Sequence, residues 1–179
     1  MTKKANLNNK KKRDKNKKKK EKKISESTRE SDTEKKPITK KLKDGSIYKG
    51  EMKNNKFEGY GKINYSNGDF YNGKWKNSKR EGYGVCVYDN GDIYKGYWKK
   101  DKYQGYGTFI SNNEEIKYIG HFKNGMKDGH GVLIEKNKGT YDGNWILDCK
   151  NGKGLFKDIK GNSFQEEWKN GKKIENKEN

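Results

Sequence analysis

The chain has 179 residues, of which 27% are hydrophobic and 39% charged. Ordinary globular chains are ~45–50% apolar, so a large oily core is excluded. Lys and Arg number 44 against 25 Asp and Glu, a formal net charge of +19, and the partners such a chain attracts are anionic. Nearly all the basic residues are lysine, with Arg13, Arg29 and Arg80 the exceptions. A point charge without guanidinium geometry favours diffuse attraction over shaped readout of phosphate, although an A/T-rich genome also produces lysine- and asparagine-rich chains through its codons.

Residues 1–36 hold only Met1, Ala5, Leu7 and Ile24 as hydrophobic residues, too little apolar surface to offset the entropy of ordering, and are expected to be a disordered Lys-rich tail. Within it Lys10, Lys11, Lys12, Arg13, Lys17, Lys18, Lys19 and Lys20 form a block suited to an anionic lipid surface, a nuclear address or a nucleic-acid tether. Ser27 and Ser31 each stand three residues before a glutamate, Glu30 and Glu34. Phosphate there would add negative charge beside the lysines and loosen such an anchor. No secretory signal or membrane span is expected, because no apolar run opens the chain and none approaches ~20 residues. Thr2 in place of glycine argues against myristoylation. Cys86 and Cys149 are expected to be free thiols in a reducing compartment.

All 22 glycines fall between Gly45 and Gly171, so the body is a different kind of chain and is searched first for repeats. Taking Tyr48, Tyr71, Tyr94, Tyr118, Tyr141 and Phe164 as position one gives successive spacings of 23, 23, 24, 23 and 23 residues. Position three is then Gly50, Gly73, Gly96, Gly120 and Gly143, with Glu166 breaking the rule. Position five is Met52, Trp75, Trp98, Phe122, Trp145 and Trp168, which takes in all four tryptophans. Position twelve is Gly59, Gly82, Gly105, Gly129 and Gly152; position fourteen is Gly61, Gly84, Gly107, Gly131 and Gly154.

The pattern Y-x-G-x-W-x6-G-x-G-x6-G-x-x-Y resembles the MORN repeat (membrane occupation and recognition nexus). The copies are 48–70, 71–93, 94–117, 118–140 and 141–163, with a partial one at 164–171. Residues 37–47 are read as an incomplete first hairpin and 172–179 as a charged C-terminal tail. Copy three carries an extra residue and lacks its last glycine; copy four has Gly139 one place late.

Alternation of aromatic, glycine and aromatic over positions one, three and five is strand periodicity with one apolar face, the intervening positions such as Lys49, Glu51 and Lys53 being polar. Positions twelve, fourteen and sixteen start a second strand, as in Gly59, Gly61 and Ile63. Each repeat is therefore a hairpin, closed by turns such as S-N-G-D and D-N-G-D. Bare glycine backbone leaves room for large rings to lie flat on the sheet. The expected fold is all-β: an elongated open solenoid of stacked antiparallel β-hairpins, growing about 10 Å per repeat to very roughly 50–60 Å. The resemblance implies the same, a twisted array of hairpins with a groove, and self-association through the repeats in some members.

Position six is Lys53, Lys76, Lys99, Lys123 and Lys169, with Ile146 the exception. On a sheet this is a row of lysines that could follow an anionic membrane or an acidic helix, or simply keep an exposed face soluble. The ring row Tyr48, Trp75, Trp98, Phe122, Trp145 and Trp168 reads as repeat core, or as a groove for a peptide. Base stacking on these rings is set aside, because the glycine period already explains where they are. Cys86 shares position sixteen with Ile63, Phe109, Leu133 and Phe156 and is read as a small buried hydrophobe, while Cys149 is placed in a loop-like stretch.

With neither C-x-x-C nor H-E-x-x-H spacing, no metal site or cofactor is expected. The sequence also lacks G-x-x-x-x-G-K-[ST], G-x-S-x-G and the H-R-D and D-F-G set of kinases. The expected function is a non-enzymatic scaffold that binds a protein partner or itself. The resemblance implies peripheral placement at membrane, cytoskeleton or cilium, in the cytoplasm. Direct phosphoinositide binding is the alternative, and a nuclear or nucleic-acid role through the lysine tail is a third.

Overall fold

The computed structural model describes residues 37–175; the lysine tail, Ser27, Ser31 and residues 176–179 lie outside them. Every regular element among the described residues is a strand. The first six are β1 (Ile38–Lys41), β2 (Ile47–Lys53), β3 (Lys56–Asn64), β4 (Phe70–Lys76), β5 (Lys79–Val87) and β6 (Ile93–Lys99). They continue as β7 (Lys102–Ile110), β8 (Ile116–Lys123), β9 (Met126–Glu135), β10 (Gly139–Ile146), β11 (Cys149–Asp158), β12 (Ser163–Lys169) and β13 (Lys172–Lys173). All thirteen form one open antiparallel sheet in chain order, the stacked-hairpin array expected from the 23-residue period.

Two kinds of turn build this meander. Between repeats, turns such as Tyr65–Asp69 close with Tyr65 N donating to Asp69 O at 2.8 Å, as the S-N-G-D pattern indicates. Within each repeat sits a tight two-residue turn absent from the sequence reading. Asn54 and Asn55 have φ of 49° and 59°, Lys100 and Asp101 49° and 67°, and Leu147 and Asp148 50° and 67°. Two successive positive φ values mark the type I′ turn, whose twist matches that of paired strands. Cys149 consequently opens β11 instead of lying in a loop.

In an antiparallel meander successive turns fall on opposite sides. The tight turns therefore line one edge of the sheet and the longer turns the other. The longer turns are stitched sideways, with Ser66 N donating to Ser46 Oγ at 3.1 Å, Asp89 N to Asp69 Oδ1 at 2.9 Å and Asn112 N to Asp92 Oδ1 at 3.0 Å.

The glycines serve two different purposes. Gly50 and Gly61 face each other across the β2–β3 ladder, and the Tyr48 ring lies over both. Gly59, by contrast, has φ +64° at a bulge where the register shifts between Gly50 and Met52. Its backbone conformation, which L side chains rarely adopt, is what demands glycine there.

The core is one face of the sheet, a run of interlocked rings. Tyr71 meets Trp75 edge-on with centroids 5.0 Å apart and Trp98 at 5.4 Å, and Tyr94 repeats the pattern with Trp98 and Phe122 at 5.1 and 5.3 Å. Position ten supplies the lid. Phe57 and Tyr103 stack on Tyr48 and Tyr94 at 3.8 and 3.6 Å, whereas Arg80 and Lys127 lie over Trp98 and Trp145 at 4.1 and 4.6 Å. Cation–π contacts of this kind are worth ~0.5–2 kcal/mol. Cys86 is buried opposite Tyr71, as its repeat position indicates.

Candidate functional site

The position-one tyrosines are fully buried and four of them use their hydroxyls in one way. Tyr48 Oη donates to Glu51 O at 2.7 Å, Tyr71 to Lys74 O at 3.0 Å, Tyr94 to Tyr97 O at 3.0 Å and Tyr118 to His121 O at 3.1 Å. Trp75, Trp98 and Trp145 donate their indole N–H to the carbonyls of Gly61, Gly84 and Gly131 at 2.9, 3.3 and 3.1 Å. The rings of Tyr48, Tyr71, Trp75, Tyr94, Trp98, Tyr118, Phe122, Tyr141 and Trp145 are thus core, and Trp168 is partly buried against them. Phe164, whose copy carries Glu166 at the glycine position, is 48% exposed. Glu166 is held by Lys173 Nζ at 2.8 Å and Trp168 Nε1 at 3.1 Å.

Burial fixes the protonation of these hydroxyls. It pushes Tyr48 up to about 12, with the charges of Glu51 and Glu58 adding to the rise, and it also raises Tyr71, Tyr94 and Tyr118. An acid whose folded pKa exceeds its unfolded value of ~10 stabilises the fold fully below that value and loses the contribution as pH rises through the folded pKa. The melting temperature should therefore hold up to pH ~10 and fall steeply toward pH ~12. A flat profile over that window would contradict the burial of these hydroxyls.

Above the core rings, on the same face, lie two adjoining depressions. One of about 340 Å³ is lined by Tyr103, Phe109, Ile116, Phe122, Lys127 and Leu133 among others. The other, about 440 Å³, lies toward the longer turns and is lined by Tyr88, Tyr103, Phe109 and the carboxylates of Asp69, Asp89 and Asp92. They share Tyr103 and Phe109, so apolar surface in copy three opens beside two neighbouring acidic turns.

The family model for the MORN repeat matches residues 48–70, 71–93, 94–114, 118–137 and 141–163. The chain belongs to the MORN-repeat family. The third and fourth matches end early, where copy three carries its extra residue and copy four its late Gly139. MORN repeats are in general protein- and membrane-binding modules. No curated protein matches the chain.

On this MORN array Lys53, Lys76, Lys99, Lys123 and Lys169 are all exposed, each immediately before a tight turn. The ladder doubles the row, since Lys53 pairs with Lys56, Lys76 with Lys79, Lys99 with Lys102 and Lys169 with Lys172. Directly opposed like charges are destabilising, so this edge is electrostatically loaded. Exposed Ile146 interrupts it. Among the described residues no His, Cys, Asp and Glu group is arranged to hold a metal ion, and no helix is long and apolar enough to cross a membrane.

The face opposite the core is less uniformly polar than the sequence suggests. Tyr60, Tyr83, Tyr97 and Tyr106 are 62%, 53%, 53% and 54% exposed there, beside half-buried Phe70, Val85, Val87, Ile93, Ile110, Ile119 and Val132. The sequence reading missed these rings, although three of them, in G-Y-G at 59–61, 82–84 and 105–107, repeat at position thirteen, as does His130 in G-H-G at 129–131.

Proposed function

We propose that the chain is a non-enzymatic interaction scaffold. Its repeats bind a protein partner or a second copy, while the lysine edge holds the assembly peripherally on an anionic membrane or cytoskeletal surface in the cytoplasm. The doubled row of exposed lysines along the tight turns carries this reading, because like charges gathered along one edge reach their lowest energy against a negative surface. The adjoining depressions around Tyr103 and Phe109 favour a protein ligand that inserts an apolar side chain and presents a basic group to Asp69, Asp89 and Asp92.

Co-sedimentation with vesicles tests the anchoring. The full chain is expected to bind anionic and not neutral vesicles, with binding that weakens as salt rises. Exchanging Lys53, Lys76, Lys99 and Lys123 together for Gln should weaken it on the order of a thousandfold, four lysines at roughly 1 kcal/mol each near the surface. Unchanged binding by that variant would remove the lysine edge from the mechanism.

A further inference from the structure

The exposed rings on the face opposite the core form a line across the strands. Register sets it: Tyr60 on β3 pairs with Lys74 on β4, Tyr83 on β5 with Tyr97 on β6, Tyr106 on β7 with His121 on β8, and His130 on β9 with Asn144 on β10. The bulges close the gaps between these pairs. Lys74 lies against Gly82, Tyr97 against Gly105 and His121 against Gly129, the residues just before Tyr83, Tyr106 and His130. Five consecutive strands, β5 to β9, thus each present one ring, Tyr83, Tyr97, Tyr106, His121 and His130, at about 4.8 Å between strands. Tyr83 meets Tyr97 edge-on at 5.7 Å and Tyr106 meets His121 at 5.5 Å, and Lys74 Nζ stands 5.2 Å from the Tyr60 ring centre.

Beside this line runs the lysine edge. Lys76, Lys99 and Lys123 follow Lys74, Tyr97 and His121 by two residues on the same strands, so they face the same way about 7 Å along. Glycine packing accounts for the buried rings of the other face but for none of these, since Tyr60, Tyr83, Tyr97 and Tyr106 cover no glycine pair and each is more than half exposed.

We propose that this face binds single-stranded nucleic acid across the strands, with bases on the ring line and phosphates on the lysine rail. A periodic row of flat rings with a parallel row of cations fits a polymer whose every unit carries a flat ring and an anion. Single-strand binders combine a basic track with aromatic stacking platforms in this way. An acidic peptide satisfies the lysines but brings no regular succession of rings. The lysines are shared with the anchoring proposed above, whereas the rings belong to this inference alone.

The test measures binding of a labelled 15-nucleotide oligouridylate to the full chain across a salt series, beside an RNA duplex of the same length and a poly-glutamate peptide. Tyr83 and Tyr97 are exposed, so the Tyr83→Ala/Tyr97→Ala variant should keep the parent's melting temperature and vesicle binding. It is expected to bind the oligonucleotide at least about tenfold more weakly with the same salt slope, since stacking carries no counterion release. Lys76→Gln/Lys99→Gln/Lys123→Gln should instead flatten the salt slope, by ~0.7 for each phosphate of the single strand that is no longer neutralised. Equal affinity for the duplex, or no weakening in the tyrosine variant, overturns the proposal and leaves only charge attraction. A tyrosine variant that loses poly-glutamate and not oligouridylate overturns it in favour of an acidic protein. Normal vesicle binding alongside either result leaves the anchoring reading standing.

Discussion

Replacing Tyr94 by alanine is expected to cost ~3–5 kcal/mol, the range for deleting a buried aromatic ring. Tyr94 is fully buried. It stacks on Tyr103 at 3.6 Å, meets Trp98 and Phe122 edge-on and donates to Tyr97 O at 3.0 Å. Its ring also covers Gly96 and Gly107, so removing it uncovers that backbone. In a repeat array each unit is held mainly by its neighbours, so a defect in copy three separates copies one and two from four and five. Denaturant unfolding of the Tyr94→Ala chain should show a lowered midpoint and a broken single transition. Tyr97→Ala, three residues away on the exposed face, should stay within ~0.5 kcal/mol of the parent. Similar losses for the two variants would mean that the core lies on the wrong face.

The repeat frame was legible because one physical constraint writes it twice. A ring lying flat on backbone requires glycine beneath it on two strands, so Tyr48 with Gly50 and Gly61 recurs as Tyr71 with Gly73 and Gly84. The tight turns were harder to read, because a two-residue turn imposes only backbone conformation. Asn124-Gly125 and Asn170-Gly171 carry its strong signal, but Lys100-Asp101 and Leu147-Asp148 adopt the same positive φ values with weak turn formers. Paired strands on either side supply enough ladder to impose the turn on them. The exposed ring line was hidden for another reason. Position thirteen sits between two glycines, and the period alone does not reveal that a bulge at position twelve separates their roles. The lysine row was visible at position six, but its doubling by Lys56, Lys79 and Lys102 follows only from cross-strand register.

Gly84→Ala and Gly105→Ala separate the two uses of glycine. A Cβ on Gly84 would sit 2.5 Å from Tyr71 Cζ, well inside contact distance, and the ring cannot retreat because Trp75 and Trp98 abut it at 5.0 and 5.4 Å. Overpacking of this kind typically costs ~1–3 kcal/mol. Here the Tyr71 hydroxyl is also pulled from Lys74 O, adding the ~1–3 kcal/mol of an unsatisfied buried group. The expected loss for Gly84→Ala is thus ~2–6 kcal/mol. At Gly105 the nearest atom to an added Cβ is Tyr97 Cβ at 3.8 Å, ordinary contact, but φ is +66°. Alanine there should cost only the ~1–2 kcal/mol of left-handed backbone. Asparagine tells the mechanisms apart, because it tolerates the left-handed region yet is larger than alanine. Gly105→Asn should therefore recover part of the loss seen with alanine, while Gly84→Asn should be at least as damaging as Gly84→Ala. Recovery at position 84, or none at 105, in paired denaturation curves would reverse the assignment of ring clearance to position fourteen and of backbone conformation to position twelve.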